Sequence, residues 1–175
     1  SNTVRYNASN AGIVATDPQS GDLLVMVGSR NYFDEEIDGN FNVTLADRQP
    51  GSSIKPFVYA QAWREGFLPA TVLFDVPTQF SPACEATDKT SDSPCYAPKN
   101  YNNEFVGPIS MRNALAQSLN IPAVKTLYLA GLSDTLKFTA DMGLTTLNDP
   151  ERYGLTLVLG GGEVRLLDMT YAYGI

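Results

Sequence analysis

The sequence predicts an α+β fold in which helices pack on an antiparallel sheet. Two β-rich runs, residues 12–16 and 23–28, flank a loop that contains proline and glycine, which is the pattern of an antiparallel hairpin. Segments with helical start and stop signals follow. The 175 residues are 43% hydrophobic, enough for one globular domain with a real core. We expect residues 3–175 to belong to one domain and Ser1-Asn2 to be a cloning scar.

Five helices are predicted from their capping and stop signals. Ser110 is a plausible N-cap, and Pro122 should end the preceding helix near residue 120 because proline restricts the residue before it. Residues 29–50 are expected to form a polar connection over a surface near the site, and the proline-rich stretch 68–109 to lack regular structure. The first predicted helix begins near Ser52 and ends at Gly66. The other four cover residues 111–120, 122–130, 133–143 and 164–172.

Two strands are few for this number of helices. An isolated two-stranded ribbon is only marginally stable, so a hairpin needs further strands or helices to cover it. We therefore expect the chain to be part of a larger α+β domain whose later strands follow Ile175.

The charge pattern disfavours nucleic acid as a partner. The net charge is −7, and no basic run accompanies the scattered aromatic residues. No apolar stretch is long enough to cross a membrane, and the N-terminus lacks the features of a signal peptide. We expect any membrane anchor or export signal only in a longer parent protein.

Cys84 and Cys95 bracket a polar loop. The chain contains no histidine and no Cys-x-x-Cys spacing, so a Cys/His zinc site is not expected. A disulfide that closes this loop is favoured and would indicate an oxidising compartment. A pair of free surface thiols is the alternative.

Ser52 and Lys55 form the first candidate catalytic pair. Without histidine a Ser-His-Asp triad is impossible, so a serine nucleophile would need another base. Residues three apart at a helix start share one face, so the hydroxyl and the amine can meet. Lysine can act as a base only when burial or a neighbouring cation lowers its pKa. The alternative is a helix N-cap serine followed by a solvated lysine.

Ser118 and Asn120 form the second candidate pair. They lie where a predicted helix ends against Pro122. A hydroxyl and an amide there could relay a proton and hold a lysine or a substrate amide by hydrogen bonds. Capping of the helix C-terminus is the alternative function of both side chains.

Taken together, the two pairs match in order the first two elements of the Ser-x-x-Lys, Ser-x-Asn, Lys-Thr-Gly set. With the surrounding sequence they resemble the transpeptidase domain of class A penicillin-binding proteins, and the resemblance covers nearly the whole chain. It implies a penicillin-binding-protein/β-lactamase-like fold. The runs that carry it are RQPGSSIKPF (48–57), PKNY (98–101), MRNALAQSLNIPAV (111–124) and LGGGEVRLLDMTYAYG (159–174).

The resemblance implies a role for each residue. Ser52 would be the acylated nucleophile, and its N–H would form half of the oxyanion hole. Lys55 would be the general base, Ser118 would pass the proton to the departing D-alanine, and Asn120 would orient Lys55 and the substrate backbone. The expected partners are D-Ala-D-Ala stem peptides of bacterial peptidoglycan and β-lactam antibiotics. No cofactor or metal is expected, and the location would be extracytoplasmic.

The third element of the set is absent. Lys125-Thr126 and Lys89-Thr90 lack the following glycine and follow no strand pattern. We therefore expect the chain to be the N-terminal part of a transpeptidase domain, weak or inactive alone. The glycosyltransferase domain typical of class A members would lie outside it.

Two other functions remain open from the sequence. A serine β-lactamase or D,D-carboxypeptidase would share the acylation chemistry but admit water to the acyl-enzyme, and a non-catalytic interaction module would lack the chemistry. Glu163 invites comparison with the deacylating base of some β-lactamases, although a carboxylate in the first turn of a helix is favoured. Residues 160–162 are expected to permit close backbone packing rather than to bind phosphate.

Overall fold

The computed structural model describes Arg5 and residues 8–175 and has the predicted α+β character. In this part of the chain the strands are β1 (Ile13–Thr16), β2 (Leu23–Val27), β3 (Val72–Asp75) and β4 (Gly107–Ser110). The α-helices with described bounds are α1 (Lys55–Arg64), α2 (Met111–Ala116), α3 (Asn120–Ala130), α4 (Leu132–Asp141), α5 (Pro150–Tyr153) and α6 (Leu166–Ala172). Short 3-10 helices cover Glu35–Ile37, Gly51–Ile54 and Gly154–Leu159. None of the described helices has the length and apolar character needed to cross a bilayer.

The chain forms two compact units. The hairpin unit contains the described residues before Pro50 together with Thr139–Asn148 and Gly162–Ile175, and the helical unit contains Pro50–Phe138 and Asp149–Gly161. The sequence-based assignment of residues 3–175 to one domain stays a prediction.

The hairpin unit is built on the predicted antiparallel pair β1–β2, in which Ile13 lies opposite Val27 and Ala15 opposite Val25. Helix α6 packs on β1. A short bridge joins Arg48 to Val164 through reciprocal backbone hydrogen bonds of 3.0 and 2.9 Å. The hairpin is therefore covered within this unit by a helix from the end of the chain.

The helical unit has its core between α1 and α3, which are its most extensively packed pair of elements. Strand β3 packs on α3, and its antiparallel partner β4 packs on α2. A disulfide joins Cys84 to Cys95, as the sequence favoured. Among the fully buried apolar side chains of this core are Ile54, Val58, Tyr59, Met111, Ile121, Val124 and Leu127.

Most helix ends agree with the sequence signals. Ser110 Oγ accepts a hydrogen bond from Asn113 N–H, as expected of an N-cap. Helix α3 begins at Asn120, two residues before the predicted start at Pro122, because proline is tolerated in a first turn whose N–H groups have no intrahelical partner. The prediction that residues 68–109 lack regular structure was wrong, since β3 and most of β4 lie within that stretch.

Candidate active site

Ser52 lies in the 3-10 turn Gly51–Ile54, which leads directly into α1. Lys55 N–H donates to the Ser52 carbonyl, so the two residues are one turn apart on a continuous helical path. Ser52 is exposed, whereas Lys55 is only 1% exposed. The pair therefore presents a hydroxyl at the surface and an amine in the interior.

Two glycines shape the turn that carries Ser52: Gly51 opens the turn, and Gly160 packs against it. Gly51 has φ of 57° and Gly160 has φ of 92°, both in the left-handed region. A Cβ on Gly160 would lie 2.5 Å from Gly51 Cα, which is closer than atoms can pack. Gly160 thus permits close backbone packing against the turn that carries Ser52, which agrees with the packing role expected for this glycine.

The Lys55 amine contacts the connection between α2 and α3. Its Nζ lies 2.6 Å from the Ser118 carbonyl oxygen, 2.8 Å from Asn120 Oδ1 and 3.2 Å from Ser118 Oγ. The Leu119 carbonyl oxygen is at 3.5 Å. The structure therefore brings the lysine of the first sequence pair to both members of the second.

The conformation of this connection explains how one residue supplies two oxygen atoms. Ser118 has φ of 54°, a left-handed conformation that costs energy for a residue other than glycine. The strained turn places both its carbonyl oxygen and its hydroxyl on Lys55 Nζ. Asn120 then opens helix α3 instead of capping the end of α2, so the capping alternative for Asn120 was wrong.

Burial lowers the pKa of Lys55 from its ordinary value of 10.5 to about 8. The cause is desolvation of the ammonium form, since all four oxygen atoms around Nζ belong to neutral groups. A substantial uncharged fraction of the amine near neutral pH is the requirement for a lysine base. Lys55 is thus not the solvated lysine of the alternative interpretation.

The uncharged amine would suit a proton transfer with Ser118. An uncharged amine has two N–H donors and one lone pair. The Ser118 carbonyl and Asn120 Oδ1 are the two nearest acceptors and can take both donors. Ser118 Oγ at 3.2 Å carries its own proton and can donate to the remaining lone pair.

Ser52 Oγ is not among the atoms hydrogen-bonded to the Lys55 amine. In the described part of the chain it forms no hydrogen bond with Lys55 Nζ, although the two residues are one turn apart. Catalytic hydrogen bonds are often long in an unliganded protein and shorten when substrate binds. The N–H of Ser52 lies in the first turn, where helical N–H groups have no partner within the helix and can bind an anion.

Lys99 and Asn100 hold Asn120 in place, and Asp75 holds Asn100; the sequence predicted no role for these three residues. Asn120 Nδ2 donates to the Lys99 carbonyl at 2.7 Å, and Asn120 N–H donates to Asn100 Oδ1 at 2.7 Å. Asn100 Nδ2 lies 2.9 Å from both carboxylate oxygens of Asp75. The run at residues 98–101 contributed to the family resemblance, which was the only signal that pointed to this segment.

The structure also describes two other residues that the sequence singled out, Lys125 and Glu163. Lys125 is inside helix α3, so it does not occupy a strand of the kind that carries a Lys-Thr-Gly element. Glu163 precedes α6, whose first residue is Leu166, and the prediction that it lies in a first helical turn was wrong. Within the hairpin unit its carbonyl accepts a hydrogen bond from Thr146 Oγ1.

Comparison with known proteins identifies the family to which this chain belongs. A family model described as the penicillin-binding protein transpeptidase domain matches residues 11–156. The chain is 34% identical over 166 residues to penicillin-binding protein 1A of Rickettsia bellii, covering 95% of this chain and 19% of that protein. It is 36% identical over 165 residues to penicillin-binding protein 2D of Bacillus subtilis, covering 94% and 22%.

A solved structure gives the same result for the fold. Penicillin-binding protein 1A from Haemophilus influenzae superposes with a TM-score of 0.78 at 29% identity, covering 95% of this chain and 23% of that one. The α+β fold of this chain is thus shared with that solved structure. The chain belongs to the penicillin-binding protein transpeptidase domain family. It spans about a fifth of the length of the relatives named here.

Proposed function

We propose that this chain supplies the acylation machinery of a serine D,D-transpeptidase of peptidoglycan synthesis. The observation that carries the proposal is Lys55, an amine buried among neutral acceptors one turn after the exposed Ser52. Such an amine can lose its proton near neutral pH, which supplies the base that a histidine-free chain lacks.

In the proposed reaction Ser52 Oγ attacks the carbonyl carbon between the last two D-alanines of a stem peptide. Lys55 Nζ takes the hydroxyl proton as the new C–O bond forms. The N–H of Ser52 donates to the oxyanion, an interaction typically worth about 3 kcal/mol in the transition state. The C–N bond then breaks, and the leaving amine receives a proton from Ser118 Oγ, which is replenished from Lys55.

The second half-reaction would use the same groups in reverse. An acceptor amine attacks the acyl-enzyme carbonyl and transfers its proton through Lys55, and the C–O bond to Ser52 breaks as Oγ is protonated. Asn120 would orient Lys55 and the substrate backbone throughout. A β-lactam would acylate Ser52 by the same first step, because its strained amide presents an equivalent carbonyl.

We also propose that the domain works outside the cytoplasm. The Cys84–Cys95 disulfide supports this location, since such bonds persist in oxidising compartments. The peptidoglycan substrate is consistent with it.

The experiment is labelling of the full-length protein with a fluorescent penicillin, followed by intact-mass measurement. We expect one acyl adduct on the wild type and none on Ser52→Ala. The matched control is Ser53→Ala, because Ser53 Oγ is already engaged with the Pro50 carbonyl at 2.6 Å. It should retain most labelling, and the reverse pattern would place the nucleophile at Ser53.

The same experiment separates the other functions. Steady turnover of the penicillin would favour a β-lactamase or D,D-carboxypeptidase, and an unlabelled wild type would favour an interaction module. For the 175 residues alone we propose weak or no labelling, since a Lys-Thr-Gly strand contributes a second oxyanion donor in this family and the chain contains no such element. Efficient stoichiometric labelling of these residues would contradict this.

A further inference from the structure

A buried chain of hydrogen bonds runs from strand β3 to the Lys55 amine. Asp75, the last residue of β3, is 0% exposed, and each of its carboxylate oxygens lies 2.9 Å from Asn100 Nδ2. Asn100, itself 4% exposed, accepts at Oδ1 from Asn120 N–H at 2.7 Å. Asn120 Oδ1 accepts from Lys55 Nζ at 2.8 Å.

The carboxylate of Asp75 gives this chain its direction. An ionised carboxylate can only accept hydrogen bonds, so the amide of Asn100 must turn its NH₂ toward Asp75. Its oxygen is then fixed on the other side, facing Asn120 N–H. The Glu104 carbonyl also accepts from Asn100 Nδ2 at 2.9 Å, which favours the same orientation.

The neighbouring residue fixes the side chain of Asn120 in the same way. The Lys99 carbonyl can only accept, and it takes the Nδ2 donor of Asn120 at 2.7 Å. Asn120 Oδ1 is left to face Lys55 Nζ. The dipeptide Lys99-Asn100 therefore holds Asn120 at two points, one on the backbone and one on the side chain.

Other groups around Asp75 allow its charge to remain buried. Val106 N–H donates to Asp75 Oδ2 at 3.0 Å. Helix α3 contributes Lys125, which interacts electrostatically with Asp75 and donates to the Phe74 carbonyl at 2.6 Å. An N–H donor and a cation are the partners that suit a carboxylate, and the orientation of Asn100 depends on a carboxylate at this position.

We propose that Asp75 and Asn100 are positioning residues for the Lys55 base, acting through Asn120. The inference rests on the proposed acyl-transfer function, because it assigns these residues to the machinery that acylates Ser52. Neither residue contacts Lys55, so their effect would be on the geometry of the amine and not on the chemical step itself.

The test compares two variants of the full-length protein: Asn100→Asp alone, and a double variant that exchanges the carboxylate of Asp75 with the amide of Asn100. Asn100→Asp alone removes the amide donor and places a second carboxyl group against Asp75, where two like charges repel each other. We expect the acylation rate constant at saturating fluorescent penicillin to fall by about tenfold to a hundredfold, the range for a small displacement of a catalytic group. The labelled fraction at completion should stay near that of the wild type.

The exchanged pair, Asp75→Asn with Asn100→Asp, should recover most of the lost rate, and it should stay below the wild type because the Glu104 carbonyl loses its Asn100 donor in both variants. The new amide at position 75 can donate to the new carboxylate at position 100, which still accepts from Asn120 N–H. The control is Asn102→Ala, an exposed asparagine of the same segment whose side chain bonds only to Glu104. It should leave the rate constant unchanged.

A merely structural role predicts a different pattern. In that case the single variant would lower the labelled fraction and leave the rate constant of the remaining protein unchanged, and this result would overturn the inference. A crystal structure of Asn100→Asp gives a readout independent of acylation. Asn120 Oδ1 displaced from Lys55 Nζ would support the inference, and an unmoved Asn120 would refute it. An unlabelled wild type refutes the proposed function separately.

Discussion

The acylation rate of Ser52 should depend on pH through Lys55. Burial lowers the pKa of this amine from 10.5 to about 8. At pH 7 about a tenth of the amine is then uncharged, compared with about 0.03% for an unperturbed lysine, a gain of about 300-fold in available base. We expect the rate constant to rise about tenfold per pH unit below 8 and to level off above it.

Stopped-flow labelling of the full-length protein with a fluorescent penicillin between pH 6 and 9.5 measures this profile. Lys55→Arg should lower the rate about 10²–10⁴-fold, because a guanidinium can donate similar hydrogen bonds but does not deprotonate. The control is Lys137→Gln, which removes an exposed lysine paired with Asp134 on the surface. It should leave the midpoint in place. A rate that is flat across this range would refute the assignment of Lys55 as the base.

The lowered pKa of Lys55 also predicts how the free energy of unfolding changes with pH. The change is opposite in sign to the one that a salt-bridged lysine, whose pKa is raised, would give. Between about pH 8 and 10.5 the unfolded chain binds a proton at Lys55 that the folded chain does not, so the free energy of unfolding rises with pH. The full shift corresponds to about 3 kcal/mol across the window, and solvent screening lowers the contribution of this one group below that value. Urea unfolding at pH 8 and pH 10 should show the rise in the wild type and a smaller one in Lys55→Met.

Two further substitutions test the surroundings of the site. Gly160→Ala places a Cβ 2.5 Å from Gly51 Cα and should lower the free energy of unfolding by about 1–3 kcal/mol more than Gly66→Ala, measured by urea titration. Gly66 shares a positive φ but has open space around it, so equal losses would refute the contact as the cause. Asn120→Asp should raise the pKa of Lys55 by about 1 unit or more, moving the acylation midpoint upward, and an unchanged midpoint would contradict the contact.

The parts of the fold that the sequence predicted are those with local signals. The β1–β2 hairpin joins two β-rich runs through a short turn, and the Ser110 cap lies next to its helix. Strands β3 and β4 were missed because they pair across more than thirty intervening residues and because Gly107 and Pro108 weaken the strand pattern of β4. Pairing at that distance leaves no periodic signal in either segment.

In the candidate site, too, the sequence predicted the local relation between residues but not the contacts between distant segments. The spacing of Ser52 and Lys55 follows from one helical turn, so the sequence could place them together. The contact of Lys55 with Ser118 depends on the packing of α1 against α3 and was anticipated only through the family resemblance. The link from Asp75 to Asn100 joins residues 25 positions apart through side chains in an irregular segment, and no local pattern predicts it.

A lysine that serves as a base in place of histidine needs neutral hydrogen-bond acceptors around its amine, and the groups around Lys55 fit this requirement. A buried amine with a carboxylate beside it would remain protonated, whereas a buried amine without acceptors would leave its own donors unsatisfied. The oxygens around Lys55 come from two backbone carbonyls, a hydroxyl and a side-chain amide, which satisfy the donors without adding charge. The carboxylate that orders this corner, Asp75, stands two hydrogen-bonded asparagines away from the amine. In the proposed mechanism, that separation would let the charge of Asp75 orient Asn100, which holds the Asn120 N–H, while the pKa of Lys55 stays low enough for the amine to act as a base.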